Sequence, residues 1–280
     1  MGKIFDALEK ANNQKVDAIP LTRARSDSKE GIKSTDNVVS IGNAIKIGHE
    51  FNLDPNLVTY HAPQSVESEL FKVLRTNLLF PTTGKPRKKI LVTSALPSDG
   101  KSFVSSNLAI SIAQGVEEYV LLIDGDVRRP TIHSYFGFGQ VVGLSEHLAT
   151  GADIGKLLLK SPVPKLTIFP AGQPPKNPTE LLSSKKMQTL LEEVASRYDD
   201  RFILIDSPPP SMAAETTAIV NFVDGVILVV RAGKTPKKAV AEAIEQIGKE
   251  KIVGIVLNYS DQALKRYYGY GKPYYDAKEK

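Results

Sequence analysis

The stretch "KILVTSALPSDGKSF", Lys89 to Phe103, decides how the rest of the chain is read. Ile90, Leu91 and Val92 form an unbroken apolar run, the mark of a strand covered on both faces. The chain then turns through "ALPSDG" and enters helix-compatible sequence at Lys101. Ala95 to Ser102 spells A-x-x-x-x-G-K-S, a phosphate-loop spacing with Ala at its first position. In a strand–loop–helix turn of this kind, successive backbone N–H groups point inward and hold phosphate oxygens. The positive end of the following helix adds to the field. The candidate nucleotide-binding residues are therefore Pro97, Ser98, Asp99, Gly100, Lys101, Ser102 and Phe103. Gly100 lets the backbone approach the phosphates, Lys101 reaches the β- and γ-phosphates, and the Ser102 hydroxyl ligates Mg²⁺.

Two downstream stretches supply carboxylates. "VLLIDGDVRRP" ends an apolar run in Asp124 and Asp126, with Arg128 close behind, and "FILIDSPPP" ends another in Asp206. One aspartate after a strand is usually a turn or a cap. Three of them after two apolar strands downstream of a phosphate loop are where Mg²⁺ is anchored.

Further apolar runs occur at 165–171, 225–232 and 251–258, alongside those at 89–95, 119–126 and 201–208. Helix-compatible stretches lie between them. This alternation predicts an α/β fold: a P-loop NTPase with a mainly parallel sheet flanked by helices on both faces. Ahead of it, "SVESELFKVLRTNLLF" has helical spacing, with Ser65 as N-cap. Residues 1–11 place Ile4, Phe5, Leu8 and Ala11 on one face of a short amphipathic helix. Residues 12–60 are read as mostly flexible linker, 61–262 as the P-loop domain, and 263–280 as a flexible tail.

The 280 residues contain no Cys, so a thiol nucleophile, disulfide or zinc–thiolate site is excluded. No apolar run approaches membrane-spanning length and the N-terminus lacks an apolar signal core, which predicts a cytoplasmic protein. Net charge is +5, concentrated partly in "KPRKK" (85–89) and in the last sixteen residues. That tail carries Tyr267, Tyr268, Tyr270, Tyr274 and Tyr275 among Gly and Pro, with no apolar periodicity to pack them.

Together, "ALPSDGKS", "LLIDGDVR" and "ILIDSPP" resemble the Walker A, A′ and B segments of the bacterial tyrosine kinases of capsular and exopolysaccharide biosynthesis. These kinases sit within the MinD/ParA-like class of P-loop ATPases. "MGKIFDALEKA" is similar to the start of the exosortase-associated subgroup. The resemblance covers roughly residues 60–260 and implies an ATP:protein-tyrosine phosphotransferase using ATP and Mg²⁺. It implies autophosphorylation in trans of the five tail tyrosines, which in turn regulates polymerisation and export of the polysaccharide. Lys101 would hold the phosphates, and Ser102, Asp206 and Asp126 would place the metal. Asp124 would orient or deprotonate the acceptor hydroxyl. Arg128 would stabilise the A′ region or the phosphates, and Asn258 would recognise adenine.

The family's E-x-x-R-x-x-R ring-forming helix corresponds here to Glu69, Lys72 and Arg75, with Lys replacing the middle Arg. Lys keeps the charge but loses the bidentate fork. The implied partners are further copies in a ring, the cytoplasmic segment of a membrane chain-length regulator that recruits the protein to the inner face of the membrane, and a tyrosine phosphatase. No nucleic acid is expected. The alternative is a MinD/ParA-like switch ATPase without kinase activity. Against it, Ala95-Leu96-Pro97 stands where that class has a second lysine, and a tyrosine cluster has no role in a switch.

Overall fold

The computed structural model describes residues 52–82, 84, 86–197 and 200–260. The expected helix at 1–11, the linker to residue 51 and the tail at 263–280 lie outside the described residues.

The apolar runs become strands β1 (Lys89–Ser94), β2 (Tyr119–Asp124), β4 (Leu166–Phe169), β5 (Arg201–Asp206), β6 (Gly225–Arg231) and β7 (Ile252–Asn258), joined by a short β3 (Leu159–Lys160). Their spatial order is β3-β4-β2-β5-β1-β6-β7. Every pairing is parallel except β3 with β4. β3 was not anticipated; two residues are too few to give a periodic signal.

Neighbouring residues on each strand enter different cores, which is why the runs show no polar alternation. Leu91, Ile123, Ile205 and Leu228 face one apolar cluster, and Ile90, Val92, Leu122, Leu204 and Val229 face the other. The first cluster is covered by α5 (Leu144–Thr150), α7 (Lys185–Arg197), α8 (Ala214–Val220) and α9 (Lys237–Ile247). The second is covered by α1 (Val58–His61), α2 (Val66–Leu79), α3 (Lys101–Ala113) and α4 (Ile132–Tyr135). α3 is buried along almost its whole length. The stretch 177–197 divides into α6 (Pro178–Leu182), started by a proline in its first turn, and α7. Ser65 caps α2, its Oγ accepting from the Ser68 N–H at 3.2 Å.

The folded unit begins earlier than expected. Residues 52–60, assigned to the linker, are packed: Leu53 and Leu57 are buried. The Thr59 N–H donates to Asn107 Oδ1 at 3.0 Å, and Asn107 Nδ2 donates to the Asn56 carbonyl at 2.9 Å. Two leucines four residues apart are too short a pattern to stand out in sequence, yet they close the outer side of α3.

Candidate active site

β1 ends at Ser94, and the chain turns back into α3 through two left-handed residues, Ser98 (φ 65°) and Gly100 (φ 98°). Gly100 is required twice over. Its φ disfavours a side chain, and a Cβ there would lie 2.0 Å from Asn258 Nδ2. The loop is tied down by Asp99, whose buried carboxylate accepts from the Leu96 N–H at 3.0 Å and the Thr235 hydroxyl at 2.7 Å. Asp99 therefore serves the site by shaping the loop. Phe103 likewise turns its ring away, edge-on to Phe71 with centroids 5.8 Å apart.

Lys101 and the carboxylates meet at the carboxyl ends of β1, β2 and β5. Lys101 Nζ lies 3.0 Å from Asp126 Oδ2 and 4.0 Å from Asp206 Oδ2. The Ser102 hydroxyl donates to Asp206 Oδ2 at 2.6 Å and Ser105 donates to Asp206 Oδ1 at 3.2 Å. Asp124 and Asp206 are register partners across β2 and β5, and both are fully buried. Asp124 Oδ1 accepts from the Asp126 N–H at 3.2 Å, while Oδ2 accepts from Thr131 N–H at 3.1 Å and Ile132 N–H at 3.0 Å.

The crowding sets the protonation. Burial first, and the Asp206 charge next, push Asp124 up to about 8, against the backbone donors that favour its anion. Burial also raises Asp206, opposed by Lys101 and Ser102. Burial alone would lower the Lys101 ammonium, but Asp206, Asp126 and Asp124 outweigh it and hold it above its ordinary value. Asp126 and Asp206 beside one ammonium leave negative charge to be compensated. With the Ser102 hydroxyl beside Asp206, that donor set fits a Mg²⁺ ion completed by phosphate and water.

No protein-family model matches the chain. The tyrosine-protein kinase YwqD of Bacillus subtilis is 34% identical over 229 residues, covering 81% of this chain and 95% of its own length. The chain belongs to the bacterial tyrosine-protein kinases. The kinase domain of Escherichia coli tyrosine kinase ETK superposes with a TM-score of 0.67 at 32% identity, covering 75% of this chain and 82% of that one. The septum site-determining protein MinD of Pyrococcus horikoshii, solved with Mg-ADP, gives 0.51 at 20% identity over 62% of this chain and 71% of its own, a likeness of P-loop fold alone.

The remaining residues singled out in this kinase's sequence fall in three places. Arg128 was expected at the A′ segment or the phosphates. Its Nε donates to Glu215 Oε1 at 2.5 Å and its Nη2 to Oε2 at 3.3 Å. Thr179 Oγ1 also donates to Glu215 Oε2, at 2.9 Å. The guanidinium thus ties the A′ segment to α8, which follows the Walker B carboxylate in the chain. Burial works to raise Glu215, but the hydrogen bond from Arg128 and that from Thr179 prevail and its carboxyl sits below its ordinary value. Glu215, Thr179 and Ser105 went unmarked in the sequence. Glu215 there looks like an ordinary first-turn acid of a helix, while Ser105 stands one turn after Ser102.

Asn258, expected to recognise adenine, ends β7 beside the loop. Its Nδ2 donates to the Asp99 carbonyl and its Oδ1 accepts from the Tyr259 N–H, both at 2.9 Å. Glu69, Lys72 and Arg75 lie on α2, which packs against α3. Lys72 pairs with Glu69 at 2.6 Å, and Arg75 Nη1 donates to the Ser111 carbonyl near the end of α3 at 2.8 Å. The five tail tyrosines lie outside the described residues.

Proposed function

We propose that this kinase transfers the γ-phosphoryl group of ATP to its C-terminal tyrosines in trans, and through that modification regulates exopolysaccharide or capsule polymerisation and export. The observation that carries the reading is the convergence of Lys101, Ser102, Asp126 and Asp206 at the phosphate loop, with the buried Asp124 beside them.

Ser102, Asp206 and, through water, Asp126 would hold Mg²⁺, which supplies charge neutralisation on the β- and γ-phosphates. Backbone N–H groups of residues 98–103 bind the phosphate oxygens, and Lys101 offsets the charge that develops as the γ-phosphoryl group leaves. The bond from the γ-phosphorus to the β,γ-bridging oxygen breaks, and a bond forms to the tyrosine oxygen. With Mg²⁺ held beside it, Asp124 would favour its ionised form, so that the carboxylate can take the phenol proton as ADP departs. A phenol of pKa about 10 loses its proton more readily to a carboxylate raised by burial than to an ordinary one. The reaction depends on positioning and charge, so no covalent enzyme intermediate is needed.

A neighbouring copy must deliver the tail, and α2 with Glu69, Lys72 and Arg75 is the surface proposed for ring formation. No helix among the described residues is long and apolar enough to cross a membrane. The reading also includes recruitment to the membrane by the cytoplasmic segment of a chain-length regulator, and reversal by a phosphatase. The test is incubation of the purified full chain with ATP and Mg²⁺, alone and with that segment, followed by mapping of phosphate by mass spectrometry. Phosphate on Tyr267–Tyr275 is expected. Tail tyrosines that stay bare while ATP is hydrolysed would leave the switch-ATPase reading standing instead.

A further inference from the structure

We infer that Tyr259, backed by Arg231, is the stacking platform for the nucleotide's purine ring; this rests on the ATP reading above and adds the residue that grips the base. The argument begins with sheet order. Asp124, Asp126 and Asp206 follow β2 and β5, which lie on one side of β1. The γ-phosphate faces those carboxylates, so the rest of the nucleotide runs toward the other side of β1, where β6 and β7 end. There the parallel register sets Arg231 opposite Asn258, one residue before Tyr259.

Tyr259 is held in place from three directions. Its backbone takes a left-handed φ of 57°, sparsely populated for a residue with a side chain. Its N–H is bonded to Asn258 Oδ1, whose Nδ2 holds the Asp99 carbonyl of the phosphate loop. Its ring stands within van der Waals reach of the space beside Gly100, with Cε2 3.6 Å from where a Cβ would be. Arg231 places its guanidinium carbon 4.2 Å from the ring centroid. A cation on one face of an aromatic ring leaves the other face for a partner, and Tyr259 keeps 59% of its surface exposed. An exposed aromatic ring fixed at the rim of a phosphate loop, on the side away from the metal-binding carboxylates, is suited to an uncharged planar base. Stacking of this kind tolerates either purine, because each presents a π-face.

The test compares a ligand that has a base with one that does not. The full-length chain and its Tyr259→Ala, Tyr259→Leu and Tyr259→Phe variants are titrated calorimetrically with Mg²⁺-ADP and with Mg²⁺-tripolyphosphate. Tyr259→Ala and Tyr259→Leu are expected to bind ADP about tenfold more weakly, the effect of losing one base–aromatic stack. Their tripolyphosphate affinity is expected to equal that of the unaltered protein, and Tyr259→Phe to bind both ligands normally. Should Tyr259→Ala fail to fold, Tyr259→Leu, which keeps the bulk without the π-face, decides. Equal ADP affinity in Tyr259→Leu and the unaltered protein overturns the proposal, as does parallel weakening of ADP and tripolyphosphate. An unaltered protein that binds neither ligand overturns the ATP reading itself.

Discussion

Replacing Asp124 by Asn should change how stability depends on pH more than it changes stability itself. In the folded, ligand-free protein burial and the facing Asp206 raise Asp124 from 3.8 to about 8. Between those values the folded chain holds a proton that the unfolded chain releases. The contribution of Asp124 to stability is therefore greatest at low pH and falls as pH rises through that window, by about 1.4 kcal/mol per pH unit. From pH 5 to pH 8 this amounts to about 4 kcal/mol at most. The substitution removes this titration and its share of the slope. It also exchanges one acceptor oxygen for an amide facing the Asp126 N–H, a cost of about 1–3 kcal/mol that does not vary with pH. The readout is thus the difference between the two proteins, followed by urea unfolding at several pH values. Asp124→Asn should gain on the unaltered protein steadily from pH 5 to pH 8, while losing phosphotransfer. Parallel stability lines for the two proteins would refute the claim that Asp124 is held protonated by its surroundings.

Three further outcomes are expected. Lys101→Met should abolish labelling by ATP, and active kinase should still label the tail of that variant if transfer runs in trans; both are read by mass spectrometry. Gly100→Ala should lose nucleotide binding and about 2 kcal/mol or more of stability from its φ of 98° and its approach to Asn258, measured by calorimetry and thermal unfolding; adding Asn258→Ala should recover part of the stability by removing the atom it meets. Glu215→Gln should cost about 1–3 kcal/mol, because Arg128 loses a charged acceptor, and should lower the transfer rate with ADP affinity kept; loss of ADP binding in step with rate would mean that Arg128 and Glu215 serve the nucleotide directly.

What could be read from the sequence follows from where each signal is encoded. The phosphate loop is local: Ala95 to Ser102 carries its spacing in one continuous stretch. The strands were legible because both faces of the sheet are covered, which makes Ile90-Leu91-Val92 or Ile203-Leu204-Ile205 apolar without interruption. Residues 52–60 were misread because Leu53 and Leu57 have meaning only against α3.

The partnerships inside the site are a different kind of information. Asp124 faces Asp206 because β2 pairs with β5, two strands far apart in the chain and adjacent only in the sheet. Arg128 meets Glu215 because the A′ segment and α8 follow those same two strands, so one pairing fixes both contacts. On the opposite side of β1, the β6–β7 register sets Arg231 beside Asn258, and Asn258 in turn carries Tyr259 to the loop. The phosphate loop sits between these two sets of contacts, anchored by Asp206 through Ser102 on one side and by Asn258 and Thr235 through Asp99 on the other. A change in how either flanking strand seats is therefore felt at the same few backbone N–H groups. Substitutions at Glu215 and Tyr259 should consequently separate in their effects, the first on transfer rate and the second on nucleotide affinity, because each acts from a different side of one rigid loop.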